Sequence, residues 1–330
     1  MDKQRKPLVI AAWAFAGYAL YAWFATRRFE SLVPETAHPP GAFVDLNGLR
    51  VHYIQAGEGD PVVLIHGWNG STFSFRYAIP ELARHYRVVA LDLKGYGYSD
   101  RPASGDYSLT AQSELVAALM SRLGIARAAV IGHSMGGSVA MRLALGHPER
   151  VSRLALVSSV SGELRPALRL GKLVGPLLPL GAPLSLHRQG FRRRAFRSAV
   201  HDPALVTPDT LEAYFRPMRM RGHLRSLGAQ LGGRARDAAI PYERILQPTL
   251  ILWGEQDRWL PPSRGEQLAS RLPNAELRWV PSAGHLPLEE QPDVCNRLLL
   301  EFLEAPKESE EPGRADGTPH PLSLAPGATA

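Results

Sequence analysis

Six short, mostly apolar runs recur through the middle of the chain, at residues 61–66, 87–93, 128–132, 151–158, 248–254 and 275–281. A strand buried on one face alternates apolar with polar; a strand covered on both faces does not need to. Between these runs the apolar positions recur at three- and four-residue spacing, which predicts helices over 73–84, 109–123, 138–145, 263–272 and 294–303. Apolar strands alternating with helices predict an α/β fold: a mostly parallel sheet with helices on both faces. Ahead of them, Asn47-Gly48 separates two alternating runs and predicts a hairpin, which adds antiparallel strands at one edge.

The rhythm breaks in three places. Residues 162–245 are rich in Pro, Gly, Leu and Arg and hold no strand pattern. They predict a helical cap inserted above the carboxyl ends of the strands, where open α/β sheets bind ligands. The core is then 43–161 together with 246–304. Residues 305–330 are polar and rich in Pro and Gly, the composition of a disordered tail. Residues 31–42 carry Pro34, Pro39 and Pro40 and read as a linker.

Residues 1–30 predict a membrane anchor. The run 8–26 has no charge, and as a helix it would span about 28 Å, close to the hydrocarbon thickness of a bilayer. A cleaved signal would have a shorter apolar region, and a core helix would show a polar face. Lys3, Arg5 and Lys6 before the run against Arg27 and Arg28 after it give a slight bias towards a cytoplasmic N-terminus. That bias would put the large domain outside the cytoplasm.

Composition changes this picture at two points. Cys295 is the one cysteine in 330 residues, which excludes an internal disulfide framework and a cysteine zinc site. The net charge of +7 is concentrated: residues 162–244 hold 15 Lys and Arg against 6 Asp and Glu, so the cap alone carries about +9. Phe191, Ala195 and Ala199 fall four apart, with Arg192, Arg193, Arg194 and Arg197 on other faces. That pattern suits a basic helix on an anionic membrane, a docking face for an acidic carrier protein, or an ordinary solvated face. No aromatic–basic interleaving accompanies it, so nucleic acid is not an expected partner.

The candidate chemistry sits at strand ends. Gly132-His133-Ser134-Met135-Gly136 is a G-x-S-x-G pattern between an apolar strand and a helix. A sharp strand-to-helix turn has no room for side chains beside it, and the glycines supply that room. A serine nucleophile needs a base, an orienting carboxylate and donors for the oxyanion. His285 follows the last strand in Gly284-His285. Asp257 follows the fifth apolar run in Gly254-Glu255-Gln256-Asp257, with Glu255 as a neighbouring rival.

The order Ser134, Asp257, His285 resembles that of the α/β-hydrolase fold family. His66-Gly67-Trp68 and the D-x-x-G-x-G-x-S run from Asp92 to Ser99 strengthen the resemblance, which covers residues 43–304. It implies that Ser134 is the nucleophile, His285 the base and then acid, and Asp257 the orienting carboxylate. It implies an oxyanion hole from the backbone N–H groups of Trp68 and Met135, and no cofactor or metal. His66 and His133 would shape loops. Relatives that open epoxides or displace halide use aspartate at this turn, so serine points to acyl chemistry.

With the anchor and an apolar stretch at 164–186, the chain resembles anchored monoacylglycerol-lipase-like members. The expected substrate is a small hydrophobic or lipid-like carboxylic ester. Two alternatives stand beside it: a carbon–carbon hydrolase of the meta-cleavage diketone type, and a catalytically silent scaffold that binds lipid or protein.

Overall fold

The computed structural model describes residues 5–161, 188–234 and 237–305. The apolar cap stretch at 164–186 and the tail beyond 305 lie outside the described residues. Eight strands form one sheet: β1 (Ala42–Leu46), β2 (Leu49–Ala56), β3 (Pro61–Ile65), β4 (Arg87–Leu91), β5 (Ala128–His133), β6 (Val151–Val157), β7 (Thr249–Gly254) and β8 (Ala275–Val280). Their spatial order is β1-β2-β4-β3-β5-β6-β7-β8. The β1–β2 and β2–β4 pairs are antiparallel and the rest parallel. Asn47 and Gly48 make the hairpin turn, both at positive φ, as a two-residue turn between twisted strands requires.

The helices in chain order are α1 (Arg5–Phe29), α2 (Pro34–Ala37), α3 (Ala78–Leu82), α4 (Leu109–Arg122), α5 (Met135–Gly146), α6 (Gln189–Ala199), α7 (Pro208–Phe215), α8 (His223–Arg234), α9 (Ser263–Arg271), α10 (Pro287–Glu290) and α11 (Pro292–Glu304). The central strands are buried along nearly their whole length because two apolar clusters cover them. One, built on Val63, Val130, Leu156, Ile251 and Trp253, lies under α4, α5 and α9; the other, built on Leu64, Ile131 and Leu252, lies under α3 and α11.

Two elements differ from the sequence pattern. The run 275–281 is not covered on both faces; β8 pairs only with β7 and alternates exposed with half-buried residues, as an edge strand does. The helix expected over 73–84 is split into a 3-10 turn, Thr72–Phe75, and the short α3. Pro80 is the cause: it has no N–H for the carbonyl of Arg76, and its ring crowds that carbonyl.

His52 ties the hairpin to the loop after β4. Its Nδ1 lies 2.7 Å from Asp92 Oδ2 and its Nε2 lies 2.7 Å from the Pro40 carbonyl. Both partners only accept, so both nitrogens donate and the ring is an imidazolium. Burial opposes that charge, but the hydrogen bond and charge of Asp92 outweigh it and raise the His52 pKa. A raised pKa in the folded state stabilises fully below the unfolded value of about 6.5 and is lost as pH rises through the folded value. His52→Gln is therefore expected to lower the melting temperature most near pH 6, with the deficit narrowing towards pH 9; thermal scans of both proteins across that range check it.

Between β6 and β7 the described part of the cap is helical: α6, α7 and α8 with short 3-10 turns. Phe196, Phe215, Met218, Leu224 and Leu286 pack together there, and Phe29 at the end of α1 joins them. The Glu30 carboxylate accepts from Gly222 N at 2.9 Å and Leu224 N at 2.8 Å, and Leu32 bridges Met220. Ala22, Ala25 and Phe29 are buried, while Tyr18, Leu20, Tyr21, Trp23 and Phe24 are exposed. The segment expected to stand apart as an anchor thus docks its last turns on the cap. Among the described residues no helix is long and apolar enough to cross a membrane.

Glu30→Ala is expected to loosen the cap. Hydrogen bonds to a charged group are worth about 1.5–3 kcal/mol, and two are lost at the start of α8. Because Met218 and His223 also line a cavity between core and cap, any substrate bound there should show a KM that rises more than kcat falls, which steady-state kinetics would show.

Candidate active site

The three residues implied as a relay converge at the carboxyl end of the sheet. Ser134 follows β5 and starts α5. Asp257 follows β7, and His285 follows β8. Ser134 Oγ lies 2.9 Å from His285 Nε2, and His285 Nδ1 lies 2.8 Å from Asp257 Oδ2. The serine hydroxyl donates to Nε2 while Nδ1–H donates to the carboxylate. That is the tautomer in which the imidazole can take the serine's proton. Asp257 Oδ1 accepts from the backbone N–H groups of Trp259 and Leu260, each at 2.9 Å, so both carboxylate oxygens have partners. Glu255, the rival, is exposed and takes no part.

Ser134 sits at φ 51, ψ −116, a region that costs a non-glycine residue about 1–3 kcal/mol. The surroundings hold it there. A Cβ on Gly136 would come within 2.0 Å of the Ile65 carbonyl oxygen, and one on Gly132 within 2.5 Å of the Gly136 carbonyl. Strand and helix therefore touch backbone to backbone on either side of the serine, and only glycine permits it.

His66 and His133 shape loops. His66 is fully buried, and burial lowers its pKa, so it is neutral. Its Nε2 accepts from Leu93 N at 3.1 Å, leaving Nδ1–H to donate to the Gly67 carbonyl at 2.7 Å. Gly70 N donates to the same carbonyl at 3.1 Å. That carbonyl and the Trp68 N–H belong to one planar trans peptide, so pinning the C=O fixes the direction of the N–H. Gly67 also lies against the nucleophile, since a Cβ there would be 3.0 Å from Ser134 Cβ. His133 donates Nε2–H to the His285 carbonyl at 2.8 Å; burial, then the neighbouring His285, push its pKa down to about 3, so it does not compete for protons.

Ser134 and His285 open on a cavity of about 800 Å³ between core and cap. Its wall is mostly apolar, with Met135, Val160, Phe196, Phe215, Met218 and Leu227 among its lining. The apolar side of α6 forms part of this roof: Phe191 and Ala195 line the cavity, and Phe196 and Ala199 are buried. Arg193, Arg194 and Arg197 face solvent.

Several groups at the site carry no sequence signal of their own. Trp259 lies over His285, ring centroids 5.2 Å apart, and its Nε1–H donates to Ser198 of α6 at 3.1 Å, linking the cap to the acid loop. Tyr214 of the cap donates to buried Glu289, which also pairs with Arg76; Ser74 Oγ lies 3.2 Å from the Tyr214 hydroxyl. This strut ties cap to core beside the cavity. Among the described residues no cluster of His, Cys, Asp or Glu could hold a metal ion.

Residues 60–181 and 184–292 match the model of the alpha/beta hydrolase fold family. The chain belongs to that family. An uncharacterised hydrolase of Bacillus subtilis, YugF, is 30% identical over 264 residues, which cover 78% of this chain and 96% of the relative. The 2-hydroxy-6-oxo-6-phenylhexa-2,4-dienoate hydrolase of Burkholderia cepacia is 30% identical over 268 residues, 78% of this chain and 92% of that one. A solved structure of the meta-cleavage product hydrolase CumD from Pseudomonas fluorescens superposes with a TM-score of 0.66 at 27% identity, covering 80% of this chain and 97% of that one.

Proposed function

We propose that this α/β-hydrolase cleaves carboxylic esters with a substantial apolar part, through an acyl-enzyme on Ser134. The observation that carries the reading is a complete Ser134–His285–Asp257 relay at the floor of a large, mostly apolar cavity. Ser134 Oγ attacks the ester carbonyl as His285 takes its proton. The backbone N–H groups of Trp68 and Met135 receive the oxyanion, each such donor worth about 2.7–4 kcal/mol in the transition state. His285 then protonates the leaving alcohol, and a water activated by the same imidazole releases the acid. An aspartate nucleophile would be needed to hold an opened epoxide as an ester; the hydroxyl of Ser134 offers no such chemistry.

A second reading has its own support. The Burkholderia relative is named as a hydrolase of a 2-hydroxy-6-oxo-dienoate and the Pseudomonas one as a meta-cleavage product hydrolase, at 30% and 27% identity, which favours the carbon–carbon alternative. A panel of medium- and long-chain esters beside a vinylogous diketone, with Ser134→Ala as control, separates the two. Turnover of esters alone supports the proposal. Turnover of the diketone alone overturns it, and a folded protein that turns over neither and resists a serine-directed phosphonate supports the scaffold alternative.

For the N-terminal segment we keep the membrane as partner. The uncharged run at 8–26, the exposed Leu20, Tyr21, Trp23 and Phe24 on α1, and the solvent-facing arginines of α6 support lipid contact next to the cavity. The same arginines would suit an acidic carrier protein. Flotation of the full chain with vesicles, with and without anionic lipid, tests the membrane reading; failure to float with either would sink it.

A further inference from the structure

The cavity wall holds an imidazole that has nothing to bond to among the described residues. His223, the first residue of α8, lines the cavity and is 3% exposed, yet among the described residues neither ring nitrogen has a hydrogen-bond partner. Its backbone is fixed. Gly222 and Leu224 on either side donate to Glu30, and His223 N donates to the Met220 carbonyl at 3.2 Å. Burial, then the Arg101 guanidinium, push its pKa down to about 3, so the ring is neutral at any working pH. A neutral imidazole has one N–H to give and one lone pair to receive. Its cavity neighbours include Phe215, Met218 and Leu227, which offer neither.

As placed, both nitrogens are shielded from solvent, although the residue lines the cavity. A half-turn about χ2 exchanges Nδ1 with Cδ2 and Nε2 with Cε1. That torsion is broad and roughly two-fold, so the exchange needs no backbone movement. Buried polar groups in native proteins find partners, and a pair of unpaired nitrogens on a substrate cavity is the arrangement expected where the partner arrives with the ligand.

We infer that His223 is a specificity residue that recognises a hydroxyl group carried by an otherwise apolar ester, away from the scissile carbonyl. The inference rests on the ester-hydrolase reading above and names its substrate class. A hydroxyl both gives and receives a hydrogen bond at one atom, matching either tautomer of the ring. An ammonium is disfavoured by the Arg101 guanidinium, which is buried and, among the described residues, donates to the carbonyls of Gly97, Ser99 and Pro217 rather than to a carboxylate. The wall as a whole disfavours any group that would lose its hydration there. The hydroxyl could sit on the acyl chain or on the alcohol portion.

The test compares matched pairs. On the acyl side these are para-nitrophenyl octanoate against a positional series of hydroxyoctanoates. On the alcohol side they are propyl octanoate against monooctanoylglycerol. Wild type is expected to favour the hydroxylated member of one pair by about tenfold in kcat/KM, the worth of one satisfied hydrogen bond. His223→Phe should bring that ratio close to one, and His223→Gln, which keeps a donor and an acceptor, should retain most of it. If the Phe variant does not fold, His223→Met takes its place.

A ratio unchanged in the Phe or Met variant overturns the assignment. So does a wild type indifferent to the hydroxyl, or one that prefers a carboxylate-ended chain. If wild type hydrolyses no ester, the ester reading fails, and equilibrium binding decides the inference alone. In the Ser134→Ala background, octanediol should then bind more tightly than octanol, and the preference should vanish with His223→Phe. Equal binding of the two overturns it.

Discussion

Ser134→Ala is expected to lower kcat on an apolar ester by about a millionfold, with little change in KM. The estimate follows from serine relays in general, where removing the nucleophile costs about as much as removing the whole relay. It applies here because His285 Nε2 has Ser134 Oγ as its proton source and, among the described residues, no second hydroxyl bonded to it. What survives should be the contribution of the backbone donors and of binding, about a thousandfold or more over water. A serine-directed phosphonate should label wild type and fail on the variant. Hydrolysis by the variant at the wild-type rate would show that another group attacks. The same position stores strain, and alanine keeps it, because its Cβ meets the same backbone. Ser134→Gly removes the Cβ at φ 51 and should raise the unfolding free energy by about 1 kcal/mol or more while leaving the protein as inactive as the alanine variant. Paired denaturation and activity measurements would show this trade directly.

The strand order could be read because it rests on local signals. Apolar runs bounded by turns mark covered strands, and Asn47-Gly48 marks a hairpin whatever lies elsewhere in the chain. The relay was legible for a related reason: each member stands just beyond a strand in a sheet whose parallel strands all end on one side, so three positions far apart in sequence must meet. Two departures from the pattern had local causes that the apolar spacing masked; the others rest on contacts far apart in the chain. In the run 275–281, Glu276 and Arg278 alternate with Ala275, Leu277 and Trp279, the pattern of a strand with one face in solvent, and the exposed face of β8 follows it. Only the ring of Pro80 against the carbonyl of Arg76 breaks the helix expected over 73–84, and that signal was present but overruled by the apolar spacing. Glu30, Tyr214, His223 and Glu289 gave no warning, because each acts on a segment tens to hundreds of residues away. The cap was read as helical from the absence of strand signals, and such an argument cannot say which side chains will line a cavity. The arginines of α6 show the same limit. Their number was visible, but not that the apolar side between them roofs the site.

Asp257→Asn is expected to lower kcat by about ten-thousandfold with KM nearly unchanged, and the hydrogen bonds around the carboxylate say why. Oδ1 accepts from the backbone N–H groups of Trp259 and Leu260. An asparagine must put its amide oxygen there, because an NH2 group would face two donors. The NH2 then falls where Oδ2 was, 2.8 Å from His285 Nδ1. Facing a donor, Nδ1 must become the acceptor, and the proton of the neutral ring moves to Nε2. Nε2–H now points at Ser134 Oγ and cannot take its proton, so the relay is blocked by tautomer choice with its geometry intact. The loss should shrink at alkaline pH, where hydroxide removes the serine proton without the imidazole, so that the rate of the variant climbs with pH after wild type has reached its plateau. Glu255→Gln is the matched control: Glu255 is exposed and outside these bonds, and its substitution should leave kcat within about twofold. If Asp257→Asn kept the wild-type rate while Glu255→Gln lost it, the orienting carboxylate would be Glu255. The cap would then have to move during turnover to bring it inward, because Trp259 now closes over His285 and is bonded to α6 through Ser198.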